Sequence, residues 1–363
     1  MGAVLARLRT DLRARWASTL VLVLLIGIGG GAVLTSAAGA RRTASSYPRM
    51  LEEANAGDVL VNPADGNTDF DAIEALPQVV AAGRGTGAFV VPRLPSGEPD
   101  FEAFNYLPVS SDGRLGYSIE RPVNLQGRMP DPERAEEVFL STPLAKDMGV
   151  DVGDTIPMVA LADEATPPEA VDFEVVGVGL FSRDALQEDA DATNFLSAPA
   201  LIFSPAWEQS HPPNLVEGFR ASFVQVEPGS LESFLTDAQT TVGDEQLYLQ
   251  TLPETTSKAQ RALRPYVVAL AVFALVSGLA ILLVVGQALT RHLLLDAHQA
   301  PTLSALGMTR GQLVGTAVAR AAVVGVAGAA IAGALAVALS PLMPIGPAGE
   351  LEPQPGVDVD GAV

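Results

Sequence analysis

The feature that most constrains this chain is a set of three long stretches without a charged residue. They run from Trp16 to Ala40, from Pro265 to Thr290 and from Ala321 to Gly349. About 20 helical residues, at roughly 1.5 Å each, cross the hydrocarbon core of a bilayer, which is about 30 Å thick. Buried helices of soluble domains are usually shorter and are interrupted by charge. The pattern therefore predicts three transmembrane helices, the last of them ending near residue 340, just before Pro341.

The charged residues of the 363-residue chain are concentrated in one segment. Residues 41–264 contain 36 acidic and 15 basic side chains, whereas the rest of the chain contains 6 acidic and 7 basic ones, so the net charge of −20 originates in this segment. An acidic surface repels the phosphates of DNA and RNA, which argues against nucleic acid as a partner. Because the chain has no cysteine, disulfides, thiol nucleophiles and Cys-ligated metals are excluded.

The basic residues outside this segment predict how the chain crosses the membrane. Residues 1–15 contain four arginines, and the loop 291–320 has three basic residues against one acidic residue. Positive residues favour the cytoplasmic side of a membrane. The N-terminus and the loop are therefore expected inside, and the acidic segment 41–264 and the tail 341–363 outside. Lipid is thus an expected partner.

The N-terminal residues 1–15 have leucines at helical spacing among the arginines, which predicts an amphipathic helix at the membrane surface. A cleaved signal peptide is the alternative, with Ala38–Ala40 as a small-residue cleavage site. Its apolar stretch would be longer than the usual signal core, and two further apolar stretches follow. An uncleaved first span is therefore the favoured interpretation.

The segment 41–264 alternates between apolar and polar residues in a way that predicts a mixed domain. Residues 57–91 and 218–250 each have the pattern of a β–α–β unit, and a middle module covers residues 95–205. Glycine-rich residues 83–87 are expected to interrupt the first unit. The predicted fold class is an α+β extracytoplasmic domain inserted between transmembrane α-helices. Helices that leave both ends of this domain are expected to form a stalk.

The loop 291–320 contains signals for two helices joined by a corner. Pro301 suits the first turn of a short helix, and Gly307 suits its left-handed C-terminal cap. Thr309 and Gln312 have the spacing of a capping box that would begin the next helix. A short surface helix joined in this way to a spanning helix is suited to receive motion from a cytoplasmic partner.

The third apolar stretch has small residues at every fourth position, which predicts a packing stripe. Small side chains let helix backbones approach closely in lipid, where no hydrophobic force drives helices together. The predicted stripe consists of Ala321, Gly325, Ala329 and Gly333.

The chain has no recognisable catalytic signature. It lacks a GxxxxGK[ST] phosphate-binding loop and a GxSxG nucleophile motif. The histidines His292 and His298 lie six residues apart, which suits neither a metal-binding helix nor one helical face. No catalytic, cofactor-binding or metal-ligating residue is expected, and the chain is not predicted to be an enzyme.

Two groups of residues resemble the FtsX/MacB-type permeases of ABC transporters. Residues 303–313 are similar to the loop "LRALGMTRRQL" of that family. Residues 125–130, 136–138, 144–155 and 173–178 are similar to the motifs "GRMP", "EVVVS", "LGLKVGDT" and "VVGV" of its MacB-like periplasmic core domain. The resemblance implies a contact with an ATPase at Pro301, Leu303, Leu306, Gly307, Met308, Thr309 and Arg310.

The resemblance also implies how the chain works. It is expected to be the permease subunit of an ABC transporter in the cytoplasmic membrane, where it couples ATP hydrolysis by a separate ATP-binding subunit to export or mechanotransmission. A second permease copy or half would complete a dimer. Family members have a further span, so the chain is expected to be an N-terminal portion of a longer permease, and its preference for Arg over Lys indicates a GC-rich bacterium such as an actinomycete. The alternative is a membrane-anchored extracytoplasmic sensor or scaffold without an ATPase partner.

Overall fold

The chain forms two compact units. A computed structural model describes residues 9–10, 13–63, 68–101, 108–161, 167–182, 201–211, 220–243, 247–297, 304–305, 307–353 and 356. The first unit, called the helical unit below, contains Met1–Ser45, Leu263–Gly349 and Pro355–Val363. The second unit, called the domain unit, contains Ser46–Ala262 and Glu350–Gln354.

The described secondary structure alternates between helices and strands in the domain unit. The helices are α1 (Trp16–Ala54), α2 (Phe70–Glu74), α3 (Thr142–Met148), α4 (Pro205–Ser210), α5 (Leu231–Val242), α6 (Leu252–Ala297), α7 (Arg310–Leu339) and α8 (Pro347–Glu350). The strands are β1 (Val59–Pro63), β2 (Val79–Gly87), β3 (Val90–Pro92), β4 (Pro108–Ser111), β5 (Val123–Gly127), β6 (Glu137–Ser141), β7 (Thr155–Ala160), β8 (Glu169–Leu180), β9 (Leu201–Phe203), β10 (Arg220–Val226) and β11 (Leu247–Thr251).

The three apolar stretches lie in α1, α6 and α7, which are long and apolar enough to cross a membrane. The helices extend beyond the charge-free residues. α1 continues through the polar residues 41–54, and α6 begins at Leu252 rather than Pro265. These polar extensions are rich in Ala, Arg, Glu and Gln, which favour helix, so a helix already formed by the apolar residues continues into them.

One sheet dominates the domain unit. Within the described residues its strands follow the order β11-β1-β10-β2-β4-β9-β6-β8-β7-β3, and β5 pairs with β8 beyond the end of β7. Pairing is antiparallel except between β4 and β9 and between β6 and β8. The mixed α+β character expected from the sequence is thus present.

The two ends of the segment 41–264 together form one half of the sheet. The strand order β11-β1-β10-β2 with α2 and α5 is that of a ferredoxin-like split β–α–β motif. Val59, Val61, Phe70, Val224 and Phe234 are among the buried residues of its core. Both predicted β–α–β units are therefore confirmed, and they complete each other.

The other half of the sheet is the middle module, whose core is aromatic. Phe173, Phe203 and Trp207 are fully buried, and the rings of Phe203 and Trp207 stack with centroids 4.6 Å apart. All five residues of β6 are buried. The module contains the predicted helix Thr142–Met148 and strand Leu201–Phe203 at their predicted limits.

The glycine-rich residues 83–87 do not interrupt a strand, which corrects the expectation from their composition. They continue β2 to Gly87, and the break falls at residues 88–89. A Cβ at Gly83 would lie 2.4 Å from Ile119 Cγ2, and one at Gly85 would lie 2.5 Å from Val109 Cγ1. The glycines are needed because neighbouring segments press against the face of this strand.

Candidate functional site

The corner, defined as residues 304–313, has the local geometry expected from its sequence. Ser304 and Ala305 are helical and exposed. Gly307 has φ +93° and donates its N–H to the carbonyl of Ser304 at 3.1 Å, so the left-handed turn predicted at this glycine is confirmed. Three of the predicted contact residues, Pro301, Leu303 and Leu306, lie outside the described residues.

A capping box begins α7, as predicted. The N–H of Gln312 donates to Thr309 Oγ1 at 3.4 Å, and the N–H of Thr309 donates to Gln312 Oε1 at 3.0 Å. Thr309 and Arg310 are exposed, and Met308 is half-buried. The corner therefore presents accessible side chains on a segment that continues without a break into a 30-residue apolar helix.

Within the helical unit, glycines bring α1 and α7 into close contact. A Cβ at Gly27 would lie 2.6 Å from Ile331 Cγ2, and one at Gly31 would lie 2.9 Å from Leu335 Cβ. On the facing helix, a Cβ at Gly328 would lie 2.6 Å from Ile26 Cγ2. Each glycine thus accommodates a large side chain of the other helix.

The predicted stripe on α7 lies beside this contact rather than in it. Ala321, Gly325 and Ala329 are exposed, and no described atom lies within 4 Å of a Cβ built at Gly325 or Gly333. The buried positions of α7 are Val324, Gly328 and Ala332. The stripe stays a prediction for contact with a helix outside this chain.

The C-terminal end of α1 is tied to the sheet by hydrogen bonds. Arg121 donates its side chain to the carbonyl of Glu53 at 2.8 Å and its backbone N–H to the carbonyl of Ala54 at 2.7 Å. Asn55 takes a positive φ of 50°, and its Oδ1 accepts from Gln225 Nε2 at 2.9 Å. Carbonyls at a helix end lack intrahelical partners, so this arrangement satisfies them and holds the helix end.

Glu120 reinforces the same junction from inside the domain unit. It is buried, has φ 50°, and accepts from the N–H of Gly57 at 3.0 Å and from Ser182 Oγ at 2.6 Å. A non-glycine residue with positive φ is held in place by its surroundings. Sequence reasoning missed this role because no local pattern relates Glu120 to Gly57.

The start of α6 lies next to the end of α1. Strand β11 leads directly into α6 and pairs with β1, with Val59 opposite Thr251. The N–H of Leu252 donates to the carbonyl of Asp58 at 2.7 Å, and Asp58 Oδ2 accepts from the N–H of Val226. The parts of α1 and α6 inside the domain unit, called the stalk helices below, therefore begin from adjacent strands.

The residues that resemble the periplasmic motifs form a buried ion pair in the middle module. Glu137 is fully buried and accepts from Arg128 at 2.5 and 2.6 Å, from Arg134 at 2.7 Å and from the N–H of Asp131 at 2.8 Å. The hydrogen bond from Arg128 is the main cause that holds the pKa of Glu137 below its ordinary value, although burial opposes it. The pair fixes the loop that joins β5 to β6.

No group of three or more His, Asp or Glu side chains in the described part of the chain is arranged to hold a metal ion. His211 stacks on Trp207 with ring centroids 4.6 Å apart, and its Nδ1 lies 2.7 Å from the carbonyl of Trp207. Of the loop histidines, His298 lies outside the described residues. The described geometry therefore places His211 at the end of α4 as a packing residue.

A scan against models of protein families finds no match to this chain, and a search of curated protein sequences finds no similar protein. Among solved structures, a domain of a protein described as a permease from Porphyromonas gingivalis is 15% identical, with a TM-score of 0.32, over 53% of this chain and 88% of that one. The periplasmic region of MacB from Actinobacillus actinomycetemcomitans is 10% identical, with a TM-score of 0.35, over 59% of this chain and 95% of that one.

Proposed function

We propose that this chain is the permease subunit of an ABC transporter and couples ATP hydrolysis by a separate ATP-binding subunit to movement of its extracytoplasmic domain. The observation that carries the proposal is the corner. An exposed turn made by Gly307 and a capping box made by Thr309 and Gln312 lead directly into an apolar helix. A partner that pushes on such a turn moves a rigid helix, because the capped end does not fray.

The stalk helices provide a path for that movement. α1 and α6 are continuous helices that belong to both units, so a rotation or translation of either one reaches the sheet without passing through a loop. At the sheet, Arg121 and Gln225 hold the end of α1, and Asp58 holds the start of α6. The work of the chain is then mechanical, and we propose no catalytic role for it.

The predicted topology can be tested with single cysteines, since the chain has none of its own. Glu133 is exposed in the domain unit and Ser304 is exposed in the corner. On intact cells, an impermeant maleimide should label the Glu133→Cys variant and spare Ser304→Cys until the cells are opened. Labelling of both positions from outside would contradict the proposal.

The ATPase contact is tested by charged substitutions in the corner. The tagged chain should copurify with a protein that hydrolyses MgATP, and this activity should be lost in Leu303→Glu, Leu306→Glu and Met308→Glu variants. Val80→Glu is the matched control, because Val80 is an exposed apolar residue of the domain unit. If no ATPase accompanies the wild-type chain, the alternative of a sensor or scaffold is favoured instead.

A further inference from the structure

The segment that follows α7 returns to the domain unit. This segment, residues 340–356, is called the strap; it begins with a 3-10 turn (Ser340–Leu342) and includes α8. Residues Glu350–Gln354 belong to the domain unit, whereas the strap residues on both sides of them belong to the helical unit. The domain unit is therefore linked to the helical unit through α1, through α6 and through the strap.

Within the helical unit, Arg42 of α1 holds the strap. This arginine is buried and donates to the carbonyl of Gly356 at 2.9 Å and to that of Ser340 at 3.4 Å. Met343 packs against α1 nearby, since a Cβ at Gly39 would lie 2.5 Å from its Sδ atom. A guanidinium at the last carbonyls of a helix is favourable because it opposes the negative end of the helix dipole.

Within the domain unit, Arg49 of α1 holds the strap a second time. Its Nη2 lies 2.5 Å from Glu352 Oε2, and the Glu352 side chain is only 4% exposed. Leu351 is buried as well, and Asn124 of β5 donates to the carbonyl of Glu350 at 2.8 Å. A buried carboxylate is costly unless it is paired, so the position of the strap depends on Arg49.

The two arginines act on one face of one helix. Arg42 and Arg49 are seven residues apart, which is two turns of α1, so their side chains point in nearly the same direction. Tyr47 and Met50, near Arg49, are fully buried. This side of α1 therefore differs from an ordinary solvated stalk surface.

We infer that the strap is a clamp through which α7 acts directly on α1, with the Arg49–Glu352 ion pair as its releasable contact. The inference rests on the proposed function, because α7 begins at the corner. Movement that enters at the corner would reach α1 through the strap as well as through the helix contact at Gly27 and Gly328. Release of Glu352 would uncouple the two helices outside the apolar residues.

The clamp is tested by the accessibility of Leu351, which is buried when the strap is docked. A Leu351→Cys variant of the purified full-length chain in detergent should react slowly with maleimide. Adding Arg49→Glu should raise the rate about tenfold, and the charge exchange Arg49→Glu with Glu352→Arg should bring it back. A Glu133→Cys variant should react at the same rate with and without Arg49→Glu.

The strap-side variant Glu352→Gln provides a second measurement that leaves α1 unchanged, should Arg49→Glu disturb folding. It should also raise the labelling rate of the cysteine at position 351. A rate that responds to neither Arg49→Glu nor Glu352→Gln would overturn the clamp, whatever the fate of the proposed function.

The coupling role of the clamp is tested in the complex with the copurified ATPase. Addition of MgATP, compared with MgADP, should change the labelling rate at position 351 at least about threefold. An unchanged rate would overturn this role even if the ion pair holds the strap. Absence of any ATPase would instead refute the proposed function, and the labelling result without nucleotide would still decide whether the ion pair exists.

Discussion

Arg128 grips both carboxylate oxygens of Glu137, at 2.5 and 2.6 Å, and so holds a fully buried charge at the edge of the middle module. Bidentate pairs of this kind are among the strongest hydrogen-bonded contacts in proteins. The arginine side chain is half exposed, so part of the charge remains solvated. The pair joins the turn after β5 to the first residue of β6.

Replacing Glu137 with Gln should destabilise the domain unit by about 2–4 kcal/mol, because Arg128 and Arg134 lose their anionic partner while the site stays buried. In a Trp16→Phe background, Trp207 is the only tryptophan and reports unfolding of the core. Its fluorescence during denaturation measures the effect. The control is Glu174→Gln, whose carboxylate is half exposed. Equal losses in the two variants would contradict a special role for Glu137.

The same pair predicts a dependence of stability on pH. Because the hydrogen bond from Arg128 lowers the pKa of Glu137 in the folded chain, the contribution of Glu137 is complete above its ordinary pKa of about 4.3 and disappears as the pH falls through the lower folded value. The difference in stability between the wild-type chain and Glu137→Gln should therefore be full at neutral pH and shrink in acid. The same fluorescence measurement over a pH series tests this. A difference that grows in acid would have the wrong sign.

Gly177→Ala should destabilise the domain unit by about 3 kcal/mol, because its Cβ would lie 2.1 Å from the backbone oxygen of Arg128. Gly153→Ala is the control. Gly153 has a positive φ of 99° but no described atom within 4 Å of a Cβ, so this variant carries backbone strain of about 1 kcal/mol without a clash. Denaturation followed by Trp207 fluorescence should rank the two variants in that order; the reverse ranking would be inconsistent with the β5–β8 contact.

Gly328→Ala should lower the melting temperature of the chain in detergent by several degrees, because the new methyl group would meet Ile26. Gly325→Ala, on the exposed neighbouring row, should leave it unchanged or raise it slightly, since Ala favours helix over Gly. Differential scanning measurements on both variants test this pair. If Gly325 proves the more sensitive position, the helix contact runs along the predicted stripe instead.

Gly307→Ala should weaken the stimulation of the ATPase by the chain, because Ala resists the positive φ of this turn and alters the angle at which the corner meets α7. Gly311→Ala lies in the first turn of α7 with open space around it and should keep the stimulation close to that of the wild type. The measurement is ATPase activity of the copurified complex at equal expression. An effect of equal size in both variants would mean that the angle of the corner is unimportant.

Local patterns explain which parts of the fold were predictable. The capping box at Thr309 and the helix Thr142–Met148 are encoded within a few residues, and both occur as expected. The strands β4 and β5 were not predicted, since β4 is short and β5 is exposed at four of its five positions. Neither has the alternation that marks a half-buried strand.

Contacts between distant residues were the part of the candidate site that the sequence could not supply. Small residues at every fourth position of α7 predicted a stripe, yet the described contact with α1 uses the adjacent row with Gly328. Glycine and alanine are so frequent on this helix that more than one row qualifies. The partners of Arg49 and Glu120 likewise lie far along the chain, where periodicity gives no information.

The ferredoxin-like half of the sheet has a consequence for biogenesis. Its strand β1 lies near the start of the segment, but its partners β10 and β11 lie near the end, and the N–H of Val226 meets Asp58 across 168 positions of sequence. Ring closure over such a distance is slow, whereas the middle module draws on nearer residues. We expect the middle module to fold first as the nascent chain emerges, and the two stalk helices to become neighbours only after residue 251 has been delivered.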